Sequence, residues 1–267
     1  MPDLDPTIRE YYERGEEARR LLGGFPSGPL ELARTQELVL RYLDAGPYQV
    51  LDVGGGPGIY AAWLASLGHR VHLVDPVELH VDQARSATGR ITAEVGDARS
   101  LTQDQHSVDV VLLLGPLYHL VHHADRLRAL QEARRVLRRG GLLVAAAISR
   151  FAALFDLLVR LDRLHEPAIL ASVEAAIETG VFRGSEGGLF TTAYFHRPDE
   201  LEAEIAEAGF TVDHVYNVEG PGFLAGNFDE RWRDERRREA MLHAARLVET
   251  ERSVLAASSH LLAVAFA

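Results

Sequence analysis

The sequence predicts an α/β fold in which a mostly parallel, doubly wound sheet carries helices on both faces. Three observations predict it. Short apolar segments alternate with helical patterns between residues 49 and 148. One of them, residues 108–114, is almost continuously apolar, which is typical of a strand buried on both faces. A glycine-rich turn also joins the first strand directly to its helix, an arrangement that presents bare backbone to a ligand.

The elements follow in order along the chain. Seven strands are predicted, over residues 49–53, 70–74, 91–95, 108–114, 142–148, 210–218 and 259–266, with a further short extended segment at 191–196. Helices are predicted over residues 7–22, 30–43, 58–67, 77–87, 124–138, 200–208 and 228–251, and residues 150–180 are helical without a strand among them. The alternation implies right-handed crossovers and a parallel sheet. The last two strands suit an antiparallel pair at one edge.

Glycine and proline set most of these boundaries. Gly68 ends the helix after the first strand, Asp75-Pro76 ends the second strand, and Gly115-Pro116 ends the fourth. The pattern divides the chain into an N-terminal helical lid (1–47), a core (48–149 and 190–267) and a helical cap inserted after the fifth strand (150–189).

Composition excludes several chemistries. The 267 residues are 47% hydrophobic, enough for a sizeable core, yet no apolar run approaches the roughly 20 residues of a membrane helix. There is no cysteine and no lysine, which excludes disulfides, thiol nucleophiles, Schiff-base lysines and a lysine-containing phosphate loop. The formal net charge of −11 disfavours nucleic acid as a partner. The N-terminus resembles no signal peptide, so we expect a cytoplasmic protein.

The strand ends carry the distinctive residues. Residues 50–58 read VLDVGGGPG, in which Asp52 stands two positions before the first residue of the run Gly54, Gly55 and Gly56. The second strand ends at Asp75-Pro76 and the third is followed by Asp97-Ala98. In open α/β sheets the ligand binds beyond the carboxyl ends of the strands. Three acids there favour a cation and would repel a pyrophosphate.

This ordered set resembles the class I S-adenosylmethionine-dependent methyltransferases, which have a Rossmann-like fold, most specifically over residues 48–148. The resemblance implies S-adenosylmethionine as the cofactor. It implies that Asp52 and Gly54 to Gly56 line the methionine part, that Asp75 with Pro76 holds the ribose, that Asp97 and Ala98 read the adenine, and that the Leu114 carbonyl faces the ammonium. Similar enzymes also place an aromatic residue and an arginine from the N-terminal helices over the cofactor, positions for which Tyr12 and Arg34 are the candidates. The segment GPLYHL (115–120) resembles that of small-molecule methyltransferases with a helical cap.

Candidate catalytic residues follow the fourth strand. His119 is the candidate base, because an ordinary histidine titrates near neutral pH, and Tyr118 is a candidate to orient the acceptor. Either residue could equally serve only structure or cofactor contact. His119, His122 and His123 have a spacing that can bind a metal, but without a clear carboxylate ligand we predict no metal site.

The acceptor pocket is expected between the cap and the 191–197 segment. Candidate substrate-binding residues are Tyr11, Arg150, Tyr194 and His196, although the alternation around Phe195 equally suits an ordinary half-buried strand. The sequence thus favours a methyltransferase that acts on O, N or C of a small molecule by direct displacement, as a monomer or homodimer, without nucleic acid or membrane. The alternatives are a nucleic-acid or protein methyltransferase, an NAD-dependent oxidoreductase and a non-catalytic cofactor-binding protein.

Overall fold

A computed structural model describes residues 6–15, 17–44, 46–88, 91–184 and 189–267. Nine strands form one sheet in these ranges: β1 (Gln49–Val53), β2 (Arg70–Asp75), β3 (Ile91–Val95), β4 (Val108–Leu113), β5 (Leu137–Ser149), β6 (Val181–Arg183), β7 (Thr192–His196), β8 (Thr211–Asn217) and β9 (His260–Phe266).

Helices connect and cover these strands. They are α1 (Pro6–Glu13), α2 (Glu17–Arg19), α3 (Gly28–Leu40), α4 (Ile59–Ser66), α5 (Glu78–Thr88), α6 (Pro116–His119), α7 (His123–Val136), α8 (Ala152–Phe155), α9 (Pro167–Thr179), α10 (Pro198–Glu207), α11 (Phe228–Arg233) and α12 (Glu235–Val248). Single π-helical turns cover Arg20–Gly24 and Asp156–Arg160, and a 3₁₀ turn covers Gly220–Leu224.

The sheet confirms the predicted fold class. The order β3-β2-β1-β4-β5 is parallel throughout, and β9 then pairs antiparallel with β5 over seven residue pairs. The last strand at this edge is β8, antiparallel to β9. Because strand order reverses between β1 and β4, the carboxyl ends of these two strands open a crevice, which is where ligands bind in such sheets.

Two apolar layers hold the sheet. One face packs on α7 and α10, through residues such as Leu130 and Ile205, and the other packs on α3, α4 and α5. A third, separate cluster lies over the end of β5 and joins α8 and α9 to β6 and β7. The last two residues of β5, Ile148 and Ser149, pair with β7, so the segment 137–149 serves both the sheet and the helical layer above it.

Two predicted helices are interrupted. The helix predicted over 7–22 divides between α1 and α2, and Gly15 adopts a left-handed φ of 73° that no continuous helix permits. The helix predicted over 228–251 breaks at Asp234, whose extended backbone begins α12 and whose side chain accepts a hydrogen bond from the Arg237 amide at 2.9 Å. The strand β6 was not predicted, because three residues are too few to show a period.

Candidate active site

The glycine turn after β1 requires glycine at Gly54. Its φ is 68°, and a Cβ atom there would lie 2.6 Å from the Cδ atom of Pro116. The turn is fixed to the next strand by Asp75, whose Oδ2 accepts a hydrogen bond from the Gly56 amide at 2.9 Å. The turn thus keeps its backbone close to the crevice, ahead of α4.

A cavity of about 400 Å³ opens above this turn. Its size lies within the range of small-molecule sites. Most of the residues predicted to bind a cofactor or to act in catalysis line it, namely Tyr12, Asp52, Gly54, Gly55, Gly56, Asp75, Pro76, Asp97, Ala98, Leu114, Tyr118 and His119. The structure therefore brings together residues that are more than 100 positions apart in the sequence.

Asp52 is the least satisfied polar group in the cavity wall. It is fully buried, and neither of its carboxylate oxygens has a hydrogen-bond partner in the described ranges. Burial, and then the nearby charge of Asp75, raise the pKa of Asp52 to about 7, and the backbone amide of Ala61 opposes this shift only in part. Burial of a carboxylate without a hydrogen-bond partner costs free energy unless a ligand supplies that partner. The site thus fits a cationic ligand, such as one that carries an ammonium and a sulfonium.

Asp75 already has several hydrogen-bond partners within the protein. Its Oδ1 accepts hydrogen bonds from the Val77 amide at 2.9 Å and lies 3.1 Å from Nδ1 of His80, in addition to the Gly56 bond to Oδ2. Asp97 instead pairs with Arg99, at 2.6 Å between Oδ2 and Nη2. Burial raises the pKa of Asp97, but its hydrogen bonds from Arg99 outweigh burial and the pKa is lowered. Arg99 also lines the cavity, although no sequence motif predicted a site residue there.

The N-terminal helix closes one side of the cavity through Tyr12. The Tyr12 hydroxyl lies within hydrogen-bond distance of Nε2 of His119, at 2.6 Å, and the Tyr12 ring stands edge-on to His119 and to His80 at 5.3 Å. Burial lowers the pKa of His119 to about 4, and Nδ1 of His119 is buried without a partner in the described ranges. The Tyr118 hydroxyl donates to the Leu114 carbonyl at 3.3 Å. His119 is therefore neutral at pH 7, and its Nε2 is engaged by Tyr12.

Four predicted site residues lie elsewhere. Arg34 is completely buried and pairs with Glu249 at 2.5 Å and with Glu37 at 2.7 Å, so it does not reach the cavity. Arg150, Tyr194 and His196 join a buried network beneath β7 instead of a pocket. Arg150 pairs there with Glu200. A buried arginine is best satisfied by a carboxylate, and both arginines find one far away in the sequence.

That network is centred on the Arg126–Glu204 ion pair, with 2.6 Å between Nη2 and Oε1. The Arg126 guanidinium stacks on the Tyr194 ring at 3.6 Å, and His196 Nε2 lies 3.2 Å from Glu204. Burial lowers the pKa of His196, which is fully enclosed. These residues stabilise the junction of α7, α10 and β7.

A second cavity, of about 290 Å³, lies between the cap and the N-terminal helices. Tyr12, Glu17, Arg20 and Tyr118 line both cavities, so the two adjoin. The predicted substrate-binding residue Tyr11 lines the second one, together with Phe190 and other apolar side chains from the cap. Its remaining polar residues include Arg20 and His260, neither of which was among the predicted site residues.

Arg20 and His260 belong to a compact charged cluster. Arg20 donates two hydrogen bonds to Glu31, at 2.6 and 3.0 Å, and a third to Glu17. In the part of the chain that the structure describes, Glu31, Glu219 and His260 form the one group of metal-ligand type, with donor atoms within 4.8 Å. Protein partners already engage these atoms, so we treat the group as an ion-pair network. The other metal candidate, His123, is instead exposed and pairs with Glu207.

The position of His260 had a signal in the sequence. In an antiparallel strand the first residue lies at the edge where parallel strands end. His260 opens β9 and pairs with Ile148 near the end of β5. Arg20 gave no such signal, because its role depends on Glu31 across a turn.

The sheet order, the glycine turn and the acid-lined crevice together define the class I S-adenosylmethionine-dependent methyltransferase fold. Comparisons with known proteins agree. Residues 50–141 match the family model described as a methyltransferase domain. The chain therefore contains a class I S-adenosylmethionine-dependent methyltransferase domain, and its cofactor is S-adenosylmethionine. The prediction of the family and of the cofactor is confirmed.

Relatives of known sequence or structure show the same similarity. An uncharacterised methyltransferase of Mycobacterium tuberculosis is 38% identical over 101 residues, which is 38% of this chain and 40% of that protein. The chain thus matches well under two thirds of this relative's length.

Two solved structures share the fold. The putative methyltransferase of Haloferax volcanii, in complex with the Trm112 methyltransferase activator, has a TM-score of 0.62 at 18% identity and 97% coverage of both chains. The magnesium protoporphyrin IX methyltransferase of Synechocystis, with bound SAH (S-adenosylhomocysteine), has a TM-score of 0.59 at 15% identity and 97% coverage of both. Within the described ranges, no helix has the length and apolar character needed to cross a membrane.

Proposed function

We propose that this protein transfers a methyl group from S-adenosylmethionine to an oxygen, nitrogen or carbon atom of a small-molecule acceptor by direct displacement. The observation that carries the proposal is the pair of adjoining cavities. One is lined by acids and bare backbone, and the other has largely apolar walls and shares Tyr12 and Tyr118 with the first. Such a pair suits a polar cofactor and an enclosed acceptor side by side.

The residues of the first cavity have distinct proposed roles toward the cofactor, which supplies an activated methyl group. Asp52 and Gly54 to Gly56 hold the methionine part, Asp75 with Pro76 the ribose, and Asp97 with Ala98 the adenine. The Leu114 carbonyl faces the ammonium, and Tyr12 covers the site. The unpaired carboxylate of Asp52 supports its role, because a cation there would relieve a buried acid of its cost.

The enclosed site supports the alignment of the acceptor with the cofactor as the main source of the rate enhancement. Tyr12 and Tyr118 are half-buried where the two cavities adjoin and limit how an acceptor can approach. Well-oriented reactants can save about 7–11 kcal/mol of the barrier. In this scheme residues 1–47 act as the lid, 48–149 with 190–267 as the core, and 150–189 as the cap that selects the acceptor. A cytoplasmic location and a monomeric or homodimeric state remain predictions of the sequence.

Two measurements test the proposal. Calorimetry with S-adenosylhomocysteine, NAD and NADP should show binding of the first alone. Transfer of a tritium-labelled methyl group should then be measured on a panel of hydroxylated and aminated small molecules, with bulk tRNA and unfolded casein in parallel. Label in a small molecule supports the proposal. Label in tRNA or casein only, or preferential binding of NAD, contradicts it.

A further inference from the structure

His260 lies where an acceptor would meet the protein. It lines the second cavity beside Ser259, and its strand neighbour Ile148 lines the same cavity. The first residue of β9 reaches this edge because β9 runs antiparallel to β5. The surrounding walls are largely aromatic and aliphatic, from Phe182, Phe190 and Phe195. A polar ring in such a wall is a specific attachment point.

The ring of His260 is held on one side. Its Nδ1 lies 2.6 Å from Oε1 of Glu219. Glu219 is fully buried, and its Oε2 accepts hydrogen bonds from the Ser258 hydroxyl at 2.8 Å and from the His260 amide at 3.0 Å. A carboxylate fixed in this way holds the proton on Nδ1, so the neutral ring has its lone pair on Nε2.

The other ring nitrogen is available. Nε2 of His260 has no hydrogen-bond partner in the described ranges. This atom is not fully buried, and the His260 side chain is 14% exposed. The contrast with His119 is direct. The Nε2 of His119 is bound by Tyr12, and its Nδ1 has no carboxylate to hold it.

The charges around His260 make it the more basic of the two. The charged groups that face its ring are Glu219, Glu31 and Arg20. Burial lowers the pKa of His260, but Glu31 and Glu219 outweigh burial, and the pKa lies above its ordinary value. The positive charge of Arg20 lowers the pKa of His260 only in part, because Arg20 is itself paired with Glu31.

We propose that Nε2 of His260, oriented by Glu219, accepts the hydrogen bond of an acceptor hydroxyl and takes its proton when the oxygen is methylated. The acceptor is an apolar molecule with a hydroxyl group. Its oxygen forms the new C–O bond as the methyl–sulfur bond of the cofactor breaks, and the electron pair of the broken bond stays on sulfur. The O–H electron pair stays on oxygen, and the proton forms the Nε2–H bond. The imidazolium is stabilised by Glu219 until solvent removes the proton. This inference rests on the proposed function of the site.

The test uses 2-naphthol as the probe and 2-methoxynaphthalene, which lacks the hydroxyl donor, as its matched comparison. Both are titrated into the full chain saturated with S-adenosylhomocysteine, at a pH above the pKa of His260, where its ring is neutral. One hydrogen bond predicts that 2-naphthol binds about fivefold more tightly. H260N keeps a donor for Glu219 but lacks Nε2, so the ratio should fall to about one. H243Q, at an exposed histidine of α12, should keep it.

Nitrogen NMR of histidine-labelled protein gives an independent signature. Nε2 of His260 should appear as an unprotonated nitrogen above its pKa and should shift with 2-naphthol but not with the ether. In E219Q the amide can donate to Nδ1, so Nε2 should become protonated and the probe preference should disappear. This second variant keeps the proposal testable even if H260N does not fold.

The outcomes distinguish a failure of the proposed function from a failure of the role of His260. Loss of all S-adenosylhomocysteine binding in the unmodified protein would overturn the proposed function itself. Normal S-adenosylhomocysteine binding with an unchanged probe ratio in both H260N and E219Q would overturn the role of His260 alone. Failure of both naphthalenes to bind to protein that holds S-adenosylhomocysteine would do the same, because the second cavity would then not accept an apolar ring.

Discussion

Asp75 offers the sharpest test of the cofactor cavity, through the substitution of asparagine for aspartate. A carboxylate has about four acceptor positions. The protein uses three of them, for the Gly56 amide, the Val77 amide and His80. About one position is left for a ribose hydroxyl. A hydrogen bond to a charged group contributes about 1.5–3 kcal/mol. We therefore expect D75N to bind S-adenosylhomocysteine about 10- to 150-fold more weakly.

The assay is isothermal titration calorimetry at pH 7.5, with thermal unfolding measured on the ligand-free variant. The control is D82N, at an exposed aspartate on α5 whose partner is Arg85. That variant should bind as the unmodified protein does. If folded D75N keeps its affinity within about twofold, the ribose role of Asp75 is refuted, and the carboxylate serves only to hold the glycine turn.

Two further predictions follow from buried charges. Because the pKa of Asp52 is raised to about 7, cationic S-adenosylmethionine should favour its ionised form and release about half a proton on binding at pH 7. Calorimetry in buffers of different ionisation enthalpy should detect that release, and its persistence in D52N would contradict the assignment. Replacement of Arg34 by methionine should lower the free energy of unfolding by about 1.5–3 kcal/mol in urea, because it removes the charged hydrogen bonds to Glu249 and to the Val218 carbonyl, while Arg41 still pairs with Glu249. S-adenosylhomocysteine affinity should not change; a clear loss would restore Arg34 to the cofactor site. R246M, at a half-exposed pair with Glu37, should cost less than about 1 kcal/mol.

The parts of the site that the sequence predicted are local in the chain. The strand β1, the turn at Gly54 and the helix α4 follow one another within twenty residues, so propensity and glycine placement were sufficient. Asp75 and Asp97 were found because a parallel sheet brings all its strand ends to one edge. Each of these inferences needed only the pattern of the core.

The parts that the sequence missed depend on distant partners. Arg34 was assigned to the cofactor by its resemblance to an arginine of similar enzymes, and Arg150 was assigned to the acceptor because it follows the fifth strand. Glu249 and Glu200 pair with them instead. Nothing local reveals such a pairing. The same holds for His119, an accessible-looking histidine that the Tyr12 hydroxyl occupies from 107 positions away. Side-chain environment, and not the identity of the residue, decided these cases.

The central claim is that the crevice above Gly54 binds S-adenosylmethionine. A co-crystal structure with S-adenosylhomocysteine tests it most directly. We predict the ribose hydroxyls within hydrogen-bond distance of Asp75, the adenine against Asp97 and Ala98, and the amino group near Asp52. Density for the ligand at any other place, or a ribose turned away from Asp75, would contradict the account.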